Sequence, residues 1–118
     1  MPLSTNGKNK AADGVAAATG YLSLHTVDPD AIGTAEVTGG TPAYARKPVT
    51  WTPAVAGVAV IAAAVTFDIP PATTIGWVGM WSAATAGTFE GSAELSSAET
   101  YNGQGTYNLD ALSVTVVT

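Results

Sequence analysis

Turn-forming residues divide the chain into short strand-prone segments, and the spacing of these turns limits the folds that the chain can adopt. Glycine, proline, asparagine and serine recur at intervals of about ten residues. The candidate strands between them are 21–25, 44–51, 58–69, 74–82, 88–95 and 106–118. Short strands at this spacing are typical of antiparallel sandwiches and jelly rolls. We therefore predict a mainly β fold, an antiparallel β-sandwich or jelly-roll-like domain.

One short helix is predicted before the strands. Ser4 or Thr5 can cap its start, alanine dominates to about residue 18, and Gly20 supplies the stop. Gly14 lies in the middle and costs about 1 kcal/mol relative to alanine. The helix is therefore expected to be short or to depend on packing against the strands.

Length and composition indicate one domain with its own core. The 118 residues are 47% hydrophobic and only 11% charged, which argues against disorder. Soluble domains usually carry roughly 25% charged residues, so this chain is expected to have part of its surface covered by protein. We expect a single β-rich domain over residues 1–118, with an N-terminal arm and short helix in 1–20 and the sandwich in 21–118.

Charge and cysteine content exclude several kinds of partner. The net charge is −5, and the chain has no cysteine, so disulfides and zinc-thiolate sites are excluded. Four scattered basic residues cannot neutralise a run of phosphates, so no nucleic acid is expected to bind. They are Lys8, Lys10, Arg46 and Lys47. The longest apolar run, 58–65, is too short to span a bilayer, and no membrane insertion is expected.

The sequence contains few of the residues and motifs that enzyme activity would require. His25 is the single histidine, so any serine–histidine or histidine–metal scheme would have to use it. The sequence contains neither a Gly-x-Ser-x-Gly elbow nor a phosphate-binding loop. We therefore expect no enzyme activity, no catalytic residue, no cofactor and no dedicated metal site. Asp28, Asp30 and Glu36 lack the spacing of a calcium loop; a solvated acidic turn is the preferred interpretation, and a structural calcium ion is left open.

Two polar segments are candidate contact surfaces. The N-terminal stretch 4–10 is polar and contains glycine, and such arms can become ordered by docking on a neighbour. The stretch 26–42 reads as a long loop, and long loops in compact domains are usually functional or held by neighbours. The interface residues predicted on this basis are Ser4, Thr5, Asn6, Lys8, Gly39, Gly40, Tyr44 and Arg46.

Two tryptophans allow a second interpretation. Trp77 and Trp81 are an even number of residues apart and share a strand face, with Gly79 between them expected to leave space for both indoles. Burial in the core or in a subunit interface is the preferred interpretation. Contact with a glycan, through stacking on sugar rings, is the alternative.

Several short groups of residues, spread along the chain, together carry a resemblance to a known class of proteins. The resemblance includes YLSLHT at 21–26, EVTGG at 36–40, GMWS at 79–82 and GQGTY at 103–107. It also includes residues 3–8, 28–29 and 44–46, so most of the chain takes part. This pattern resembles small structural proteins of actinobacterial, mycobacteriophage-like phages, which are usually described as minor tail or tail-fibre proteins.

The resemblance implies a virion structural protein that is made in the host cytoplasm and located in the phage tail or on the capsid exterior. It implies a homo-oligomer, preferably a trimer, with other virion proteins of the tail or capsid as partners and a host cell-surface glycan as a further one. It offers no catalytic residue to carry over. A capsid decoration protein and a free carbohydrate-binding module are the alternatives.

Overall fold

The computed structural model describes residues 2–116, in which one helix precedes eight strands. The elements are α1 (Thr5–Ala18), β1 (Tyr21–His25), β2 (Lys47–Pro48), β3 (Val58–Val60), β4 (Val65–Ile69), β5 (Thr73–Trp81), β6 (Phe89–Tyr101), β7 (Gly105–Leu109) and β8 (Ser113–Thr115). All strand pairs are antiparallel. The prediction of a mainly β antiparallel fold with one short N-terminal helix is confirmed.

Helix α1 begins and ends at side-chain caps. The Ser4 hydroxyl accepts a hydrogen bond from the Gly7 N–H at 3.0 Å, which satisfies one of the free donors of the first turn. At the other end, the Thr19 N–H donates to the Ala16 carbonyl and its hydroxyl donates to the Val15 carbonyl. Within residues 2–116, no helix has the length and apolar character needed to cross a bilayer.

Small side chains and two polar contacts attach α1 to the strands. Asn9 Oδ1 accepts from the Gly57 N–H at 2.7 Å, and Asp13 Oδ1 accepts from the Ala54 N–H at 2.7 Å. The apolar contact consists of buried alanines, which let the helix lie close to β3 and β8. They are Ala12, Ala16, Ala54 and Ala59. Residues 5–10 belong to α1, and Asn9 connects this part of the helix to Gly57.

The strands form two layers. One layer is a four-stranded sheet in the order β2-β1-β5-β6. The other is a bent two-stranded ribbon in which β3 pairs with β8 and β4 pairs with β7. The sequence predicted one continuous strand over 58–69, but residues 61–64 interrupt it where the ribbon bends.

The main core lies between these layers. Leu22, Leu24 and Val78 come from the sheet, and Phe67 and Ile69 come from the ribbon. All five side chains are buried, and burial of each large apolar side chain stabilises the fold by about 1.5–3 kcal/mol.

Strand β1 is buried on both faces. Its alternating pattern predicted a half-buried strand with Ser23 and His25 on a polar face, yet both residues are fully buried. The reason is the long loop 26–46, which folds back over this face of the sheet: the His25 imidazole contacts the Thr34 carbonyl, and Glu36 forms a β-bridge with His25. The loop therefore creates a second, polar interior.

Candidate functional site

Arg46 fixes the long loop to the sheet. Its Nε donates to Glu36 Oε2 and its Nη2 donates to Glu36 Oε1, each at 3.0 Å, which is a bidentate ion pair. Its Nη1 donates to the carbonyls of Ala83 and Ala86 at 3.1 and 2.8 Å. The guanidinium carbon lies 3.6 Å from the centre of the Trp81 ring, a cation–π contact. One side chain therefore joins the loop to the turn between β5 and β6.

Tyr44 continues this network into the core. Its hydroxyl donates to Glu36 Oε2 at 2.9 Å and accepts from the Leu24 N–H of β1 at 2.9 Å. Its ring stacks on Phe67 at 6.3 Å between centroids. Burial raises the pKa of the Tyr44 hydroxyl far above its ordinary value, so the group stays neutral and can donate to the carboxylate.

A second network lies beneath the loop. Trp81 Nε1 donates to Ser23 Oγ at 2.8 Å, Ser23 Oγ lies 2.6 Å from His25 Nε2, and His25 Nδ1 lies 2.7 Å from the Thr34 carbonyl oxygen. A carbonyl can only accept, so His25 Nδ1 carries the proton. Burial lowers the pKa of His25 and favours the neutral imidazole, in which Nε2 accepts from the Ser23 hydroxyl.

This serine–histidine pair does not form an active site. Ser23 and His25 are both 0% exposed, so no substrate can reach the hydroxyl. The Ser23 hydroxyl already accepts from Trp81 Nε1 and donates to Nε2 of the neutral His25 ring. A nucleophile with both its hydrogen bonds committed and no access to solvent has a structural role, namely to satisfy polar groups beneath the loop.

Gly79 makes room for this pair. A Cβ at Gly79 would lie 2.6 Å from His25 Nε2 and closer still to Ser23 Oγ. The space at Gly79 was predicted to serve the indoles of Trp77 and Trp81, but it is occupied by the side chains of Ser23 and His25. The atoms nearest to the missing side chain belong to the strand opposite, because Ser23 of β1 pairs with Gly79 of β5.

The stability of the fold is expected to fall in mild acid because of His25. Burial lowers the pKa of His25 below its ordinary 6.5, against the opposing effects of the Thr34 hydrogen bond and the Glu36 charge. As the pH falls through about 6.5, the unfolded chain takes up a proton that the folded chain does not. The free energy of unfolding should therefore decrease, by at most about 1.4 kcal/mol per pH unit.

Urea denaturation between about pH 7.5 and about pH 5.5 measures this effect before most carboxylates titrate. The variant His25→Gln should lose most of the pH dependence in this window, because the glutamine does not titrate. An equal slope in the variant and the parent protein would contradict the assignment.

The structure divides the predicted interface residues among different places. Ser4 caps α1, Thr5 and Asn6 are exposed in its first turn, and Lys8 is half-buried against Gly57. Thr5 and Asn6 are thus accessible for contact with another protein, and this role stays a prediction.

The loop members of the set differ from one another. Gly39 and Gly40 are exposed with φ of 93°, and Gly40 lies close to Pro70 and to the Gln104 side chain. Tyr44 and Arg46, in contrast, direct their polar groups into the protein. Their contacts give Tyr44 and Arg46 an internal role, which the sequence pattern does not indicate.

The acidic residues Asp28 and Glu36 of the loop accept hydrogen bonds from within the chain. Asp28 Oδ1 accepts from the Asp30 N–H at 2.9 Å, which closes a local turn, and Glu36 is paired with Arg46. In the described part of the chain, no three acidic, histidine or cysteine side chains are placed to hold a metal ion.

The two tryptophans differ in access. Trp81 is only 8% exposed, with Arg46 over its ring and Phe89 at 5.1 Å between centroids. Its position does not support stacking on a glycan. Trp77 is half-buried, and for this residue the glycan contact stays a prediction.

Sequence reasoning missed the Glu36–Arg46 pair and the burial of His25. The available signal was composition: Arg46 is the only arginine and His25 the only histidine in a chain with little charge. Isolated charged groups in an apolar chain are often paired inside the fold. The partners of Arg46 and His25, which are Glu36 and Thr34, could not be identified from the sequence, because both lie on a loop without a periodic pattern.

Comparison with known proteins places this geometry in context. Residues 6–117 match the family model described as podophage GP4 fiber I protein gp80. No curated protein matches the chain. The family match includes nearly all of α1, all eight strands and the loop 26–46, so it covers almost the entire chain. The chain therefore belongs to the podophage fiber I protein gp80 family, whose members are structural proteins of phage tail fibres.

Proposed function

We propose that this tail-fibre protein assembles as a homotrimer, with residues 1–118 acting as one domain, and joins other proteins of the virion. The observation that carries the proposal is the extent of the family match, residues 6–117. The match spans both layers and the loop 26–46, so the similarity is not confined to one part of the chain. Closed rotational symmetry is the usual form of protein oligomers, and the trimer is the state that the sequence resemblance implies.

The internal networks fit a structural role. The loop 26–46 is held by Arg46, Tyr44 and His25, whose polar groups bond within the chain. A loop held in this way keeps a defined outer surface. A subunit that works by contact with neighbours depends on such fixed surfaces, because ordering a mobile loop on association costs free energy.

We further propose that neighbouring subunits contact the exposed start of α1 and the glycine pair of the loop. Thr5, Asn6, Gly39 and Gly40 are exposed, and the low charge of the chain favours covered surface. The fibre would reach the surface of the host, for which we propose an actinobacterium on the basis of the sequence resemblance. A capsid decoration protein and a free carbohydrate-binding module are the alternatives.

The assembly proposal can be tested by light scattering on the purified chain. The parent protein should be a trimer, whereas Thr5→Trp and Asn6→Trp should dissociate it, because a bulky side chain blocks the contact. Ser97→Trp is the matched control, since Ser97 is also exposed but lies on β6. Circular dichroism would show whether each variant is folded.

Point substitutions are preferable to deleting the segment 2–10. That deletion would remove the Ser4 cap and the Asn9 contact with Gly57, and would therefore destabilise α1 itself. A monomeric parent protein, or variants at Thr5 and Asn6 that remain trimeric, would refute the proposed contact surface.

A further inference from the structure

Asparagine is followed by glycine at two places in the chain, at Asn6 and at Asn102. This dipeptide readily loses its side-chain amide without an enzyme, because glycine has no Cβ to hinder attack by its backbone nitrogen. Asn102 lies with Gly103 and Gln104 in the turn between β6 and β7, and all three residues are exposed. The local structure at each asparagine decides whether the reaction can occur there.

The backbone nitrogen of Gly103 is open to reaction. Its N–H donates to no backbone carbonyl in the part of the chain that the structure describes. Apart from its chain neighbours, no described heavy atom lies within 4 Å of the place that a Cβ on Gly103 would take. The turn joins β6, which pairs with β5, to β7, which pairs with β4, so it is not the tip of a hairpin. The Asn102 side chain therefore has room to approach this nitrogen.

Asn6 provides a comparison within the same chain. It is also exposed and precedes Gly7, but both residues belong to the first turn of α1. The Gly7 N–H donates to the Ser4 hydroxyl at 3.0 Å. Helical dihedral angles hold the next nitrogen away from the asparagine side chain, and the cap has to be lost before this nitrogen can react. The folded chain thus protects Asn6 and leaves Asn102 unprotected.

Gln104 links the turn after β6 to the long loop. Its Oε1 accepts from the Thr41 N–H at 3.0 Å, and its Nε2 donates to the Pro42 carbonyl at 3.1 Å. The two ends of the turn are held together, because the Tyr101 hydroxyl donates to the Thr106 carbonyl at 2.8 Å. Only residues 102–104 separate β6 from β7. Any change in the length of the backbone here has to be accommodated beside Gln104.

We propose that Asn102 is converted spontaneously into a mixture of aspartate and isoaspartate, and that isoaspartate loosens the hold of Gln104 on the loop. Hydroxide ion takes the proton of the Gly103 nitrogen, which then attacks Cγ of Asn102 and forms a cyclic succinimide. The bond between Cγ and Nδ2 breaks, and this nitrogen takes a proton from water and leaves as ammonia. The last step regenerates hydroxide, so the reaction uses no oxidant, reductant or cofactor.

Water opens the succinimide in two ways. Cleavage between the nitrogen and Cγ gives aspartate at position 102, whereas cleavage between the nitrogen and the backbone carbonyl carbon gives isoaspartate. The backbone of isoaspartate runs through Cβ and Cγ and is one atom longer. Both products add one negative charge to the net charge of −5, but only isoaspartate lengthens the turn and displaces Gln104.

The modification is tested by incubating the folded, full-length chain in mildly alkaline buffer, with peptide mass spectrometry at successive times. The peptide that contains Asn102 should gain the mass difference between an amide and an acid, and protein isoaspartyl methyltransferase should methylate it. Asn6 should react at least about fivefold more slowly, the factor that corresponds to the typical free energy of a serine N-cap. In urea, both sites should react at similar rates. A sample taken before incubation corrects for reaction during proteolysis.

Two substitutions control the chemistry. Gly103→Ala should slow the reaction at Asn102 severalfold, because its methyl group hinders the attacking nitrogen. The open space around Gly103 accommodates this methyl group, and circular dichroism would verify the fold. Asn102→Gln should abolish the modification at this position, because attack on the longer side chain would have to form a larger and less favourable ring.

The effect on Gln104 is tested by hydrogen exchange of the Thr41 amide. The isoaspartyl form, separated by anion exchange, should exchange this hydrogen roughly two- to tenfold faster than the parent protein, as loss of one hydrogen bond allows. Asn102→Asp is the matched control, because it carries the added charge on a backbone of normal length. It should retain the exchange rate of the parent protein.

Several results would overturn the proposal. An intact Asn102 in the folded chain, at a time when both sites have reacted in urea, would show that the turn protects it. Equal rates at Asn6 and Asn102 in the folded chain, or in Gly103→Ala and the parent protein, would contradict the role of the local structure. An unchanged Thr41 exchange rate in the isoaspartyl form, or an equally raised rate in Asn102→Asp, would contradict the displacement of Gln104.

Discussion

Replacing Arg46 with alanine is expected to lower the free energy of unfolding by about 3–5 kcal/mol. The substitution leaves the Glu36 carboxylate, 22% exposed, without its ion-pair partner. It also removes the bonds to the carbonyls of Ala83 and Ala86 and the contact with the Trp81 ring. Most of the loss comes from the unpaired charge in a half-buried site, and urea denaturation measures it.

Two variants separate charge from geometry. Arg46→Lys should recover little of the stability, because an ammonium group cannot form the bidentate pair or reach both carbonyls at once. The double variant Arg46→Met, Glu36→Gln should cost less than the sum of the two single changes, since it leaves no unpaired charge. A loss below about 1 kcal/mol for Arg46→Ala would show that the pair behaves as a surface salt bridge.

Phe67→Ala is the second large effect and should also cost about 3–5 kcal/mol. Phe67 is fully buried on the ribbon strand β4, and its ring stacks on Tyr44 of the loop. The alanine would leave a cavity in the main core and remove the support of Tyr44. Because the two residues are coupled, loss of Phe67 should also increase amide hydrogen exchange in the loop.

A matched pair of controls tests the origin of this effect. Phe67→Leu should cost clearly less, because it keeps much of the buried volume. Thr66→Ala, on the exposed side of the same strand, removes only the contact with Asn108 and should cost less than about 1 kcal/mol. Equal losses in all three variants would contradict a core role for Phe67.

The elements of the fold were largely predictable, because periodicity and turn residues are local signals. Ser4 caps α1 as its type and position indicated, and strand character was correctly assigned to most of the β segments. The segment 58–69 was predicted as one strand because its residues are strand-prone throughout. Its interruption at 61–64 depends on the bend of the paired ribbon, which a local pattern does not contain.

The polar interior was much less predictable. Alternation along β1 indicates that Leu22 and Leu24 face a core, but it cannot indicate that a loop will cover Ser23 and His25 as well. Trp81 likewise depends on Arg46, 35 positions earlier in the sequence, for the cover over its ring. Contacts between an irregular loop and a distant strand leave no period in the sequence.

If this chain is built into the phage tail, its copy number in purified virions is the most direct measurement of that location. Quantitative mass spectrometry would compare it with the major capsid protein and with tail proteins. The fibre assignment predicts a small multiple of three, similar to other tail components and far below the capsid protein. A copy number comparable with that of the capsid protein would favour decoration of the capsid instead. Complete absence from the virion would contradict the account.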